Sequence, residues 1–158
     1  MLTRKVEVIN QFAARPGREG QSTVVSESEL NTYVNQWSRT QAMSTIDPTV
    51  TLTGPNRITL RGLLDRRGPA SDRLALRMPS DLVPVAIDGV LATEEGTATF
   101  TTESARIGER AVADGSLTRL LDAVLDPARI GFSLSSPFSL PARIRGVYVE
   151  RGRLTIIQ

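Results

Sequence analysis

The chain contains no histidine and no cysteine. Those two absences remove imidazole general bases, Ser-His-Asp and Cys-His nucleophile systems, His or Cys zinc sites and disulfides. Lysine is nearly absent too: Lys5 is the only one among 19 basic residues. The arginine excess reads better as codon bias than as a binding code, because no basic block is longer than Arg66-Arg67. Aromatic residues are 4% of the chain, too few for a row of stacking platforms, so nucleic acid is not an expected partner. No apolar run approaches the ~20 residues of a membrane span, which leaves only peripheral membrane contact open. No signal peptide is visible at the start, where Arg4, Lys5, Glu7 and Asn10 interrupt the apolar residues.

What is present fits one domain over residues 1–158. The chain is 40% hydrophobic and 23% charged, with a net charge of +2. Within it, residues 1–15 read as an amphipathic helix and residues 22–158 as a sheet-and-helix body. Val6, Ile9 and Ala13 share a stripe with Leu2, and Pro16-Gly17 ends the helix. Thr23 to Val25 reads as a strand. Ser26-Glu27-Ser28-Glu29 then has the form of a capping box, with the Ser26 hydroxyl and the Glu29 carboxylate each taking an amide proton. The helix it opens runs to about Thr40 and is expected to bury Leu30, Tyr33, Val34 and Trp37.

From Pro48 the hydrophobic period changes from 3.6 to 2. Strands are expected over 49–53, 57–65, 73–78, 83–93 and 97–107, joined by short turns into an antiparallel meander. One face is apolar and the other carries arginine and threonine, so one side needs a cover. Residues 116–126 read as a helix capped by Ser116, and 142–150 with 153–158 as a closing hairpin. The expected fold is α+β, a curled antiparallel sheet of about eight strands with two or three helices on its apolar face.

Every acidic pair has a structural explanation: Glu27 and Glu29 start a helix, and Glu94 and Glu95 sit in a hairpin turn. Nothing places two carboxylates across a cleft, so no enzyme, cofactor or metal is expected. Gly62, Gly89 and Gly146 lie inside strands, where each marks a bulge or the close approach of another group. Arg143 and Arg145 alternate on one expected strand face and suit phosphates or anionic head groups, although a charged, aggregation-resistant edge is the plainer explanation. Leu60, Leu76, Ile87 and Phe100 on the sheet, with Val34, Trp37, Leu120 and Val124 on the helices, would line a groove for an apolar ligand or else pack as a dry core.

Three segments carry a resemblance. Val24-Val25-Ser26-Glu27-Ser28-Glu29-Leu30-Asn31-Thr32-Tyr33 is similar to the opening T/S-E-x-E-L-N-x-Y of small secreted bacterial proteins. So are Asp47 to Gly54 and Ser136 to Ile144. In layout, residues 22–158 resemble the secreted phospholipid-binding proteins of actinobacteria and the broader TULIP-like (tubular lipid-binding) group. The resemblance implies a long sheet curled on a helix, a lipid held in the groove and a periplasmic or secreted location. It implies no catalytic residue. The competing expectation is a protein-interaction or envelope-scaffold module with a dry core and an envelope protein as partner.

Overall fold

In a computed structural model, the structure describes residues 2–15, 20–40, 45–65, 81–125, 127, 131 and 133–158. It is α+β, with three helices and two antiparallel sheets among the described residues. In chain order these are α1 (Leu2–Ala13), β1 (Ser22–Ser26), α2 (Glu27–Thr40), β2 (Thr45–Gly54), β3 (Arg57–Asp65), β4 (Leu82–Glu94) and β5 (Thr97–Ile107). They continue with β6 (Arg110–Ala111), α3 (Asp114–Leu125), β7 (Phe138–Ser139), β8 (Gly146–Glu150) and β9 (Arg153–Ile157). The larger sheet has the order β2-β3-β4-β5-β6, with β7 also on β5; the smaller has the order β1-β9-β8.

The meander is therefore present, but the closing hairpin does not extend it. β8 and β9 take β1 as a third strand, and the strands form two sheets rather than one. The expected strand 73–78, with Leu76, lies outside the described residues. β3 pairs directly with β4, from Arg57↔Val90 to Asp65↔Leu82. The hairpin also begins later than expected. Ala142 and Arg143 are both left-handed (φ 55° and 57°), and the strand starts only at Gly146.

Two glycines sit opposite bulges. β2 inserts Asp47 and Pro48 between the pairs Ile46↔Leu63 and Thr49↔Arg61, so two residues face Gly62 alone. A Cβ at Gly62 would collide with the Thr45 methyl group and lie 3.3 Å from the Ile46 carbonyl oxygen. β5 inserts Glu103 between Thr102 and Ser104, opposite Asp88 and Gly89. The Phe100 ring lies on Gly89, where any Cβ would be 2.6 Å from the Thr101 carbonyl oxygen.

The core has two parts. α3 places Leu120, Leu121 and Val124 on Leu64, Val85, Ile87 and Phe100. The second part joins the smaller sheet to β2 through Val25, Val149, Leu154, Val50 and Leu52. Ile58 and Leu60 touch both parts and bridge them. The helix expected from Ser116 starts at Asp114, and the Ser116 amide donates to the Ala113 carbonyl within the first turn. On the solvent face, Asp88 accepts from Thr59 (2.6 Å) and Ser104 (2.9 Å), and Arg57 forms a two-pronged pair with Glu103.

Candidate functional site

The helix α2 begins as its sequence indicates. The Ser26 amide donates to Glu29 Oε2 (3.0 Å), and the Glu29 amide donates to Ser26 Oγ (3.2 Å). Lys5 from α1 adds an ion pair to Glu29 Oε2 at 2.8 Å and also donates to the Val24 carbonyl. These contacts, the Lys5 ammonium foremost, lower the Glu29 pKa to about 2.

The packing of α2 differs from expectation. None of Leu30, Tyr33, Val34 and Trp37 is fully buried, and Tyr33 is exposed. The helix docks through a polar stripe instead. Glu27, Asn31 and Asn35, four residues apart, face the free edge of β2. Glu27 accepts from the Leu52 amide (2.7 Å). Asn31 accepts from the Val50 amide (2.6 Å) and donates to the Val50 carbonyl (2.8 Å), and Asn35 donates to the Pro48 carbonyl (3.0 Å). α2 thus takes the place of a further strand and covers backbone groups that would otherwise recruit one. Glu27 does stand in the first turn of α2, as its sequence position indicates, and it serves the β2 edge as well. Two asparagines spaced i, i+4 inside a helix, where asparagine is a poor former, were the available signal.

Because α2 sits at the sheet edge, a seam remains between it and α3. A hollow of about 60 Å³ lies there, with an almost wholly apolar lining. Leu60, Val85 and Ile87 form the floor around Gly62. Val34 and Trp37 form one wall, and Val124 with Leu125 the other. Thr45 closes one end, its hydroxyl donating to the Val124 carbonyl at 2.7 Å. Five of the eight residues expected around an apolar ligand therefore meet: Val34, Trp37, Leu60, Ile87 and Val124. Phe100 and Leu120 are buried in the neighbouring core and do not line the hollow. Leu76 lies outside the described residues.

Arg143 and Arg145 are elsewhere. Both are exposed and line a cavity of about 520 Å³ with Phe12, Glu95, Ile144 and Gln158. From the seam floor at Ile87 to the end of β4 at Glu94, beside that cavity, the strand runs about 23 Å. The arginines are therefore not head-group contacts for a short ligand seated in the seam. Nor do they alternate on a strand face, since both precede β8.

Among the described residues, no cluster of three or more acidic side chains is placed to hold a metal ion. No helix among them is long and apolar enough to cross a membrane. Comparison with known proteins returns no match, whether to a protein family, a curated protein or a solved structure.

Proposed function

We infer that the protein is a non-enzymatic binding module that takes a lipid chain or another apolar ligand into the seam between α2 and α3. The observation that carries this reading is the apolar hollow at which both helices meet the sheet, with Val34 and Trp37 half-buried on its wall. Its volume is about twice a water molecule's share of the liquid, against roughly 300–1,000 Å³ for sites that enclose a whole small molecule. As formed, it admits the end of a chain. A longer ligand requires the wall to move, and α2 is the wall that can. Its apolar side chains are only half-buried, so lifting its C-terminal half costs the Asn35–Pro48 bond and the cover over Ser38 but exposes less apolar area than moving α3, which is held by buried Leu120, Leu121 and Val124. An extracytoplasmic location belongs to the same reading through the resemblance to secreted lipid-binding proteins.

The rival, a scaffold module with a dry core, is favoured by the small volume of the hollow. Its most direct route to a partner, strand addition at an open edge, has less room. The β2 edge is covered by α2. The β8 edge is covered by Asn56 and Thr93, which bond the backbone of Val149 and Val147.

Trp37 is the only tryptophan and supplies the test. Fatty acid brominated along its chain should quench Trp37 fluorescence saturably at one equivalent, and Val34→Phe should abolish the effect by filling the hollow. Native mass spectrometry of the purified protein should show the same one-to-one adduct. An unquenched Trp37, with a mass that stays free of adducts after incubation with mixed lipids, would overturn the lipid reading in favour of a dry core.

A further inference from the structure

We propose that the cavity beside Arg143 and Arg145 is a second site, independent of the seam, for an amphipathic organic anion that also carries a hydrogen-bond donor.

The cavity is assembled from distant parts of the chain. The segment from Leu140 to Arg145 crosses the β4–β5 turn: the Leu140 amide donates to the Gly96 carbonyl (2.7 Å), and the Gly96 amide donates to the Arg145 carbonyl (2.9 Å). The Arg145 amide donates to the Ile157 carbonyl (2.7 Å), and Gln158 Nε2 donates to the Ala142 carbonyl (2.7 Å). These bonds hold two successive non-glycine residues, Ala142 and Arg143, in the left-handed region, a conformation that costs about 1 kcal/mol or more per residue and persists only when its surroundings enforce it.

The side chains there are left unsatisfied. Neither Arg143 nor Arg145 forms an ion pair with an acidic side chain among the described residues. Gln158 is 4% exposed, and its amide nitrogen is engaged by the Ile9 and Ala142 carbonyls. Its carboxamide oxygen is buried without a donor. Two guanidiniums ask for a carboxylate or phosphate. Glu95 on the same rim disfavours a bare anion and accepts a further donor. Phe12, Leu140 and Ile144 supply apolar surface. The volume of about 520 Å³ suits a ligand of that size.

N-hexanoylglycine, which joins a carboxylate, an amide N–H and an apolar tail, is the soluble probe. Calorimetric titration should show saturable binding, weakened by salt and stronger than that of acetate or hexanamide. Arg143→Gln with Arg145→Gln should reduce affinity about tenfold or more, while Arg151→Gln in the β8–β9 turn should leave it unchanged. All three arginines are exposed, so melting temperatures should agree and separate a binding loss from misfolding. Val34→Phe, which blocks the seam, should leave this binding intact, so failure of the seam reading does not touch it. Vesicles of phosphatidylcholine with phosphatidylglycerol form a second arm. Capture that depends on both arginines assigns the anion to a lipid head group, and binding of the soluble probe alone assigns it to a free small molecule. No binding of either probe, or binding indifferent to the double substitution, overturns the proposal.

Discussion

The side-chain amide of Asn31 closes both free backbone hydrogen bonds of Val50, accepting from its N–H at 2.6 Å and donating to its C=O at 2.8 Å. In this pair a helix residue does what a neighbouring strand ordinarily does. Asn31→Ala leaves the N–H and C=O of a buried residue with no protein partner, and at about 1 kcal/mol for each lost bond the loss should be about 2 kcal/mol. Urea unfolding should show a lower midpoint with an unchanged slope, and the exposed edge should raise the tendency to aggregate. A midpoint equal to the parent's would mean that water serves Val50 as well as Asn31 does.

Glu29 makes stability depend on acid. Its carboxyl titrates at about 2 rather than the usual 4.5, first because of the Lys5 hydrogen bond and then because of the Ser26 amide. A depressed carboxyl contributes stability above its unfolded value, and that contribution disappears as the pH falls from 4.5 through 2. The stability gap between the parent and Glu29→Gln should therefore be constant near neutrality and shrink in acid. A gap that is equal at about pH 3 and pH 7 would show that the ion pair with Lys5 has no net effect on folding.

Gly89 lacks a side chain because the Phe100 ring occupies that space. Gly89→Ala places a methyl group 2.9 Å from Phe100 Cε1 and 2.6 Å from the Thr101 carbonyl oxygen, closer than real Cβ contacts come. Overpacking of this kind costs about 1–3 kcal/mol. Phe100→Leu in the same chain should recover part of the loss, because the backbone contact remains. A double-mutant cycle by thermal unfolding measures the shared part, and strictly additive losses would mean that the ring is not the obstacle.

Thr45 fastens the far end of the seam. Thr45→Val keeps the shape but leaves the Val124 carbonyl without its hydroxyl donor, a loss of about 1–2 kcal/mol. If the seam admits an apolar ligand, the same change should also speed uptake of brominated fatty acid, read as faster quenching of Trp37. Reduced stability with an unchanged quenching rate would place ligand entry at another point.

The parts of the molecule that depend on near neighbours were legible in the residues themselves. Ser26 and Glu29 meet three positions apart within one helical turn, and the alternation of Ile58, Leu60, Leu64 and of Ala98, Phe100 marks β3 and β5 with their apolar faces. Such signals are written in adjacent residues because hydrogen bonds and side-chain period act over a few positions. Gly62 and Gly89 announced a bulge or a close approach, but not Thr45 or Phe100 as the groups that approach.

Long-range pairing belongs to the tertiary structure alone. β1 finds β9 across the length of the chain, from Ser22↔Ile157 to Ser26↔Arg153, and this contact divides the strands between two sheets. Hydrophobic alternation states which face a strand buries but not which strand lies beside it, since any edge offers the same backbone donors and acceptors. The same limit hid the position of α2 against β2, and with it the seam. It also hid the separation of Arg143 and Arg145 from that seam, because two left-handed residues and the β4–β5 turn, not strand alternation, decide where those arginines stand.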